Sequence, residues 1–448
     1  MTGTSCALKA SPSYLAGKLL KSSAMIPLSV RCVQLHSVFE VAQTVDSLVG
    51  SGAAALRRLY AFTAGTARCR VGPELSRKYG MEPDNAQLVV SITNTATLEQ
   101  AWYNEVRTRK PQTFKEDAAC LVDPTDGGRK CDFCNWQTLT AEDTWGRIER
   151  PHAVTGSNLF KYGEPAHGLV LFKHHDPLRF SRKQLGDFLA VSADWFTAAA
   201  VVHPDARHPF FIWNCGPRAG ASQFHGHGQL MLTTLPVPAQ ARLTQQSKLH
   251  AQAHPGTSIY HDMVQAHAAV GLARALGRGE DRCWILAHLA PQKDMEVVLL
   301  GSSLTSPVFV AALHASLRAL VDGLSVQTFN CGILNVPLGQ QLPLQQPVAG
   351  VESCPAANEL PLETGLDDSQ GLVLAFSKGM GSDEDVLRLL PSGMEWRPLM
   401  ARVVSRGKTT SPASDFGCLE VIGHASIGHT DPFLLIQRID DQLDLLHM

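Results

Sequence analysis

The chain has 448 residues, of which 44% are hydrophobic and 18% charged, as is typical of a globular protein with two or three domains. Its formal net charge of −2 excludes a bulk electrostatic field for nucleic acid or an anionic membrane, so any anion must be bound locally. No apolar run reaches membrane-spanning length, since the nearest candidate, residues 308–321, contains His314 and Arg318. The eleven cysteines are scattered except for Cys131 and Cys134, which favours a reducing compartment over a disulfide scaffold.

The first 39 residues contain no Asp or Glu but include Lys9, Lys18, Lys21 and Arg31. This composition is compatible with an organellar transit peptide and equally with a loosely packed N-terminus. We therefore expect a cytoplasmic protein, with organellar import as the alternative. Residues 1–100 as a whole are predicted to be an N-terminal extension that is partly helical.

Periodic patterns predict several regular elements before the middle of the chain. Residues 41–62 have the spacing of an amphipathic helix interrupted by two glycines, and residues 87–93 have the composition of a β-strand. The short apolar run at 169–172 is typical of a strand that is covered on both faces. Residues 181–202 give the clearest helix, because Ser181 can cap it and apolar residues form a wide stripe along it.

Two short segments in this half carry polar groups suited to binding. Arg107 and Lys110 belong to a basic stretch that ends at Pro111, which by itself indicates a solvated loop. Cys131-Asp-Phe-Cys134 has the spacing that places two thiolates on one tetrahedral Zn²⁺. A redox pair is the alternative, although no thioredoxin-like βαβ pattern surrounds these cysteines.

The chemistry of the chain is concentrated in residues 210–234, predicted to form an apolar strand, a turn of small residues and a second strand. Polar side chains at alternate positions of the second strand share one face: His225, His227 and Gln229. Leu230 and Leu232 project from the opposite face. Glycines and small residues at 216–222 let backbone amides approach an anion closely, so the segment suits a phosphate ester better than a core. The alternative is that these polar residues are structural and share the face by coincidence.

The C-terminal half has fewer signals. Residues 234–255 are rich in Pro, Gln and Ala and are predicted to connect two lobes, whereas residues 258–276 are predicted to be helical. Residues 351–366, rich in Pro and Glu without a clear period, indicate an exposed insertion.

The run Asn214-Cys-Gly-x-x-Ala-Gly-Ala-Ser-Gln-x-His-x-His-x-Gln229 resembles the active-site signature of the transferase branch of the histidine-triad (HIT) superfamily. That branch includes galactose-1-phosphate uridylyltransferase and diadenosine tetraphosphate phosphorylase. The resemblance implies an α+β fold of two HIT-like lobes, each an antiparallel sheet with helices packed on it. The catalytic lobe would span residues 101–240 and the second lobe 241–448. The second lobe is degenerate, because its last strand lacks the His-x-His pair of relatives.

The resemblance implies a nucleotidyltransferase or phosphorylase that works through a covalent nucleotidyl-histidine. His227 would attack the α-phosphorus of a nucleotide, Gln229 would donate its amide to the phosphoryl oxygens, and a phosphate-bearing acceptor would take the nucleotidyl group. The expected substrates are dinucleoside polyphosphates or nucleotide sugars, and a homodimer is compatible with this resemblance. The implied substrate-binding residues are Asn214, Gly220, Ser222, Gln223, Arg107, Lys110 and Asn158.

The resemblance also completes a metal site. In metal-containing uridylyltransferases the cysteine pair is joined by a His after the next long strand and by the first His of the signature. The corresponding residues here are Cys131, Cys134, His175 and His225, with His174 as an immediate competitor of His175. A closed set of four ligands implies a structural zinc, since no open position is left for chemistry.

Two other functions remain as alternatives. A hydrolase would let water resolve the same intermediate, but Gln229 stands where hydrolases of the superfamily carry a third His. A non-catalytic nucleotide-binding protein would explain the degenerate second lobe but not the intact His-x-His-x-Gln. The base and the acceptor stay undecided, although Ala-Gly-Ala-Ser-Gln is closer to adenylyl-transferring phosphorylases and His-Gly-His-Gly-Gln to uridylyltransferases.

Overall fold

The computed structural model describes residues 35–106, 123–338, 390, 396–409 and 415–447. The predicted insertion at 351–366 therefore lies outside the described residues. The N-terminal described elements are the helices α1 (Val38–Thr44), α2 (Ser51–Leu59) and α3 (Pro73–Tyr79), and the strands β1 (Tyr60–Arg70), β2 (Asp84–Asn94) and β3 (Gln100–Asn104).

The next elements are the short helix α4 (Trp136–Leu139), the strands β4 (Glu149–Arg150), β5 (Ala153–Ser157) and β6 (Pro165–Phe172), the helix α5 (Arg182–Val202), and the strands β7 (His208–Cys215) and β8 (His227–Thr233). Then follow the helices α6 (Pro238–Ala253) and α7 (Ile259–Ala269), the strands β9 (Ala273–Leu276), β10 (Cys283–Ala287) and β11 (Val297–Gly301), the helix α8 (Pro307–Arg318), and the strands β12 (Phe329–Leu334) and β13 (Leu399–Ser405). The chain ends with a short helix, Cys418–Val421, the strand β14 (Ala425–Gly428) and the helix Pro432–Asp444.

Ten strands form one sheet in the order β4-β5-β6-β8-β7-β12-β13-β11-β10-β9. Each pair of neighbours in this sheet is antiparallel. The chain path β5-β6-α5-β7-β8 is repeated as β10-β11-α8-β12-β13, so the sheet has two similar halves that meet where β7 pairs with β12. This architecture confirms the predicted α+β fold of two lobes.

One row of cross-strand pairs shows how the halves correspond. Gln229 on β8 pairs with Ile212 on β7, Ile212 pairs with Gly332 on β12, and Gly332 pairs with Arg402 on β13. Because paired residues project from the same face of a sheet, Gln229 and Arg402 occupy equivalent places on one continuous face, on either side of the centre.

The opposite face of the first half is covered by α5. Leu230 and Leu232 are fully buried there, as are Phe188 and Trp195 of the helix. Ser181 caps α5 in a complete capping box with Gln184, which confirms the predicted helix and its start. By length and composition α5 could cross a membrane, but 56% of its apolar window is buried in the protein, as in a core helix.

Four strand and helix predictions can be compared with the described elements. The strand at 87–93 is confirmed within β2, and that at 169–172 within β6. The helix predicted over 41–62 is wrong at its end, because Tyr60 begins a strand that pairs with β2 along its whole length. The helix predicted over 258–276 is also wrong at its end, since residues 273–276 pair with β10. Pairing with a distant strand overrides local propensity here.

Residues 234–255, predicted to connect the two lobes, lie between the last strand of the first half and the helix α7. Most of this segment forms α6, with Pro238 in the first turn and a composition of Ala, Gln, Leu, Arg and Lys. Proline fits the first turn of a helix, and those residues favour helix, but few of them are apolar enough to show a period. A four-stranded sheet, β1-β2-β3-β14, joins the N-terminal region to the C-terminal strand. The boundaries 1–100, 101–240 and 241–448 stay a prediction.

Candidate active site

The signature histidines lie at the start of β8, on the face of the sheet that α5 leaves uncovered. The strand begins at His227, one alternation later than expected, although the carbonyl of Gly226 still accepts a hydrogen bond from the amide of Phe172 at 3.1 Å. His225 and His227 both contact the ring of Phe133 edge-on, with centroid distances of 5.9 and 5.1 Å. The segment of the cysteine pair thus covers both histidines.

Four predicted metal ligands converge beside this strand. The ligand atoms of Cys131, Cys134, His175 and His225 all lie within 4.8 Å of one another. The Nδ1 atom of His175 is 3.3 Å from the sulfur of Cys134, and Nδ1 of His225 is 3.5 Å from the same sulfur. Two sulfurs and two imidazole nitrogens at this spacing could hold a tetrahedral metal ion.

The second nitrogen of each imidazole is engaged elsewhere, which directs Nδ1 to the sulfurs. Nε2 of His225 donates to the carbonyl of Phe172 at 2.7 Å, and Nε2 of His175 is 3.1 Å from the carboxylate of Asp123. Such outer contacts set the tautomer of a metal-bound imidazole. His174 points elsewhere, because its Nδ1 accepts from the amide of Gln184 at 3.3 Å.

The protonation of the cluster fits a cation. Burial and the neighbouring Cys131 raise the pKa of the Cys134 thiol to about 11, so two adjacent thiolates need a positive charge between them. Burial lowers the pKa of His225 to about 4, which keeps this imidazole neutral and able to ligate. Gly128 permits the close approach, since a Cβ there would lie 2.9 Å from the sulfur of Cys134.

His227 is held in one tautomer. Its Nδ1 donates to the backbone carbonyl of His225 at 2.8 Å, so Nε2 carries the lone pair. The side chain is 6% exposed, and burial lowers its pKa, opposed by that hydrogen bond. A neutral, oriented imidazole with a free Nε2 lone pair is a competent nucleophile at neutral pH.

Gln229, two residues on, is fixed by three groups around its side-chain oxygen. Oε1 accepts from the Tyr162 hydroxyl at 2.7 Å and from Nε2 of His167 at 2.9 Å, and the amide of Asn158 lies 3.4 Å away. His167 is fully buried, and its Nδ1 accepts from the backbone amide of Tyr162 at 3.3 Å. Because Oε1 is taken up in this way, the amide nitrogen of Gln229 is directed away from these groups as a donor.

The loop between β7 and β8 is a tight turn at the surface. Gly216 and Gly220 have φ angles of 83° and 89°, and a Cβ at Gly216 would lie 2.4 Å from the side chain of Thr328. The amides of Gly220 and Ala221 close the turn by donating to Pro217 and Gly216. Ser222 is exposed, and within the described ranges no acceptor faces its backbone N–H.

The remaining predicted binding residues lie on the two sides of His227. Asn158 belongs to the Gln229 network, whereas Asn214 accepts from the amide of Asn330 on β12 at 2.7 Å. Asn330 in turn accepts from Arg406 at 2.8 Å, so the second half of the sheet reaches the signature loop. Gln223 is partly buried beside Ser222. Arg107 and Lys110 lie outside the described residues.

Sequence reasoning did not identify three neighbours of the site. Phe133, between the two cysteines of the pair, contacts both signature histidines, and His167 and Tyr162 orient Gln229. His167 alternates with Leu169, which pairs with Gln229 across β6 and β8. That pairing places His167 near Gln229, but the two residues are 62 positions apart, and local periodicity does not show the register of such distant strands.

No protein-family model matches the chain, and no curated protein sequence matches it. Among solved structures, the chain is similar to an ADP-glucose phosphorylase from Arabidopsis thaliana with bound ADP-glucose, at 13% identity and a TM-score of 0.50, over 77% of this chain and 95% of that one. A GalT-like protein from Arabidopsis thaliana matches at 14% identity and a TM-score of 0.46, over 69% and 91% of the two chains. A uridylyltransferase matches at 13% identity and a TM-score of 0.46, over 79% of this chain and 98% of that one. The first of these carries the fold assignment.

Proposed function

We propose that this chain, which shares the two-lobed fold of the HIT-superfamily transferases, is a nucleotidyltransferase that forms a covalent nucleotidyl-histidine at His227. The observation that carries the proposal is the hydrogen bond from Nδ1 of His227 to the His225 carbonyl. It leaves the Nε2 lone pair on the sheet face opposite α5, without a hydrogen-bond partner among the described residues, while burial keeps the ring neutral. The substrate is a dinucleoside polyphosphate or a nucleotide sugar, and an adenylyl-transferring phosphorylase is the favoured form.

The reaction proceeds in two displacements. In the first, the Nε2 lone pair of His227 attacks the α-phosphorus, a P–N bond forms, and the P–O bond to the leaving phosphate or sugar phosphate breaks. In the second, an oxygen of a phosphate-bearing acceptor attacks the same phosphorus and the P–N bond breaks. The His225 carbonyl stabilises the positive charge that the imidazole gains when it is substituted.

Gln229 binds the non-bridging phosphoryl oxygens through its amide nitrogen. Its carbonyl oxygen is held by His167 and Tyr162, so the donor is positioned before the substrate arrives. The turn at the exposed Ser222 and the partly buried Gln223 binds the departing or entering phosphate with backbone and side-chain donors. An amide does not exchange protons with water as an imidazole would, and this favours transfer over hydrolysis.

The metal in this proposal is zinc, held by Cys131, Cys134, His175 and His225. The ion would supply structural cross-linking, since four protein ligands leave no open position on it. His225 joins the two parts of the site, because its ring faces the sulfurs while its carbonyl holds His227. Order in the cluster therefore fixes the orientation of the nucleophile.

The proposal is tested by trapping the intermediate. The full chain is incubated with ADP-glucose, UDP-glucose or diadenosine tetraphosphate, each labelled at the α-phosphate, in the absence of inorganic phosphate. We expect protein-bound label that is acid-labile and base-stable, as for a P–N bond, and release of the label on addition of phosphate. A protein that converts one of these substrates without ever carrying label would contradict the covalent scheme.

Gln229→His separates the transferase from the hydrolase alternative. This variant should still take up label, because His227 is unchanged, but water should release the label faster than in the parent protein. The measurement is the half-life of labelled protein without phosphate, compared with Gln87→His as a control in the N-terminal sheet. Equal half-lives would show that Gln229 does not decide the fate of the intermediate.

A further inference from the structure

A partly enclosed cavity of about 320 Å³ lies over the second half of the ten-stranded sheet, and His227 is not among its lining residues. Its floor comes from β12 and β13 and its roof from α6. The volume is at the lower end of the range for small-molecule pockets in proteins. The walls are largely apolar and include Phe210, Leu243, Met263, Leu334, Met400 and Val404.

Three buried polar atoms on the walls have no hydrogen-bond partner among the described residues. They are Oγ1 of Thr97, Nδ1 of His288 and Nη2 of Arg402. Thr97 is 9% exposed and His288 1%, although Nδ1 of His288 lies 3.5 Å from a carboxylate oxygen of Glu296. Buried polar groups in proteins are normally hydrogen-bonded, so these atoms give the cavity walls polar groups that a ligand could satisfy.

The charges around the cavity are balanced. Arg402 donates from Nη1 to Glu99 at 2.5 Å and from Nε to Glu296, while Arg242 stands exposed at the rim. Two carboxylates and two guanidinium groups leave no net charge for a phosphate to neutralise. A neutral ligand with an apolar body and a polar edge suits such walls, whereas a sugar would leave most of its hydroxyls unpaired.

The cavity is connected to the proposed active site. Asn330 lines it and donates to Asn214 of the signature strand. Arg402, on its floor, is separated from Gln229 by three strand-to-strand steps in one row of the sheet. Three steps correspond to roughly 14 Å. The two places are thus equivalent positions of the repeated fold on one face.

We propose that this cavity is a second ligand site, which binds the heteroaromatic base of a nucleoside. The ring packs between Phe210 on one strand and the thioethers of Met263 and Met400, and its polar edge meets Thr97, Nη2 of Arg402 and His288. Flat heterocycles are held in proteins by this combination of apolar stacking and edge hydrogen bonds. The inference goes beyond the proposed function, because binding here needs no covalent chemistry at His227.

The direct test uses the ring current of the ligand. Adenosine, guanosine, uridine and cytidine, and ribose as the ring-free control, are titrated into full-length protein with ¹³C-labelled methionine methyl groups. We expect one of the four nucleosides, and not ribose, to shift the methyl resonances of Met263 and Met400, assigned with Met→Leu variants. Saturating concentrations of all four nucleosides without a shift at either methionine would overturn the proposal.

Two substitutions test the site by calorimetry. Gly332 lies on the cavity floor, its added Cβ would be in ordinary contact with Phe210 at 3.4 Å, and Gly332→Leu should fill the space and weaken binding at least tenfold. Thr97→Val, which keeps the shape of the side chain, should weaken binding about fivefold. Gly65→Leu is the control, because nothing lies within 4 Å of a Cβ there. Unchanged affinity in both site variants would place the nucleoside elsewhere and overturn the assignment.

The base has two possible sources. If it belongs to a dinucleoside polyphosphate whose other half is bound at His227, Gly332→Leu should raise KM for that substrate at least tenfold and leave KM for a nucleotide sugar unchanged. If it belongs to a separate nucleoside, adding that nucleoside should change the rate with both substrates, and Gly332→Leu should abolish the change. Either result supports the site. The methyl shifts and calorimetry do not depend on turnover, so they stand or fall independently of the transferase proposal.

Discussion

The two halves of the ten-stranded sheet have the same strand order, but the polar groups on their shared face are neutral in one half and ionised in the other. In the first half the polar groups are neutral, since burial lowers the pKa values of His167 and His227, and Gln229 is an amide. In the second half the equivalent row carries Arg402, which is ionised between Glu99 and Glu296. The same backbone therefore presents a lone pair on one side and a salt-bridge cluster on the other.

This difference teaches where function resides in a repeated fold. A neutral imidazole with one nitrogen hydrogen-bonded can still attack phosphorus, whereas a guanidinium held by two carboxylates has no lone pair to offer. Both halves share the same arrangement of strands and helix. Their chemistry therefore depends on a few side chains, whose positions are set by the fold but whose residue types are not. The halves also differ in their polar clusters, since the first contains the Cys/His cluster and the second the buried ion pairs.

The largest expected effect is on the catalytic side of the comparison. His227→Gly should lower turnover about 10³-fold or more, because the proposed nucleophile is removed while the strand remains. Added imidazole should restore part of the rate by filling the vacated space. Steady-state assays are compared with His424→Gly, a control at an exposed position with a φ of 52° that suits glycine. Normal turnover by His227→Gly without imidazole would overturn the assignment.

The second effect concerns the salt-bridge cluster. Arg402→Met should lower the free energy of unfolding by about 3–5 kcal/mol, because Glu296 is fully buried and would lose its countercharge. Urea unfolding measures the change, with Arg68→Met as control, since Arg68 and Asp84 are mostly exposed and their pair contributes little. Equal stability of Arg402→Met and the parent would mean that the buried ion pairs do not stabilise this half of the sheet.

The third effect concerns the Cys/His cluster of the first half. Purified protein should contain about one zinc per chain, and Cys131→Ser should lose the metal and about 2–4 kcal/mol of unfolding free energy. Cys69→Ser serves as control, because Cys69 is exposed and away from the cluster. Metal content is measured by elemental analysis. Fully active, fully stable protein without metal would rule out the zinc proposal.

The fourth effect is a dependence of stability on acid. Burial raises the pKa of Glu296, but Arg402 and His288 outweigh it and lower this pKa from 4.5 to about 2. A lowered folded-state pKa adds stability above pH 4.5, which is lost as the pH falls towards 2, with a slope of at most about 1.4 kcal/mol per pH unit. Arg402→Met should show a smaller loss over this window in urea titrations. Parallel curves for the two proteins would exclude this contribution.

Local patterns in the sequence were sufficient for the parts of the site that lie within one strand or one turn. Alternation along an extended chain placed His227 and Gln229 on one face, and Leu230 and Leu232 on the other, because strand geometry repeats every two residues. The convergence of Cys131, Cys134, His175 and His225 was predicted from the resemblance to a family, and the structure brings these four together. The α5 helix was likewise predicted from its local apolar period, and its start from the capping residue Ser181.

Only the tertiary structure decided which distant residues complete each half. Glu99 lies in the turn before β3 and Arg402 in β13, 303 residues further along the chain, so no periodicity relates them. The same holds for His167 beside Gln229 and for the strand at residues 273–276, which local pattern assigned to a helix. The spacing of hydrophobic residues shows which face of a helix or strand is buried. It does not show which element covers that face, or in which register two strands pair. The pairing of β7 with β12, and with it the equivalence of Gln229 and Arg402, exists only in the folded chain, because backbone hydrogen bonds between strands do not depend on the identity of the side chains.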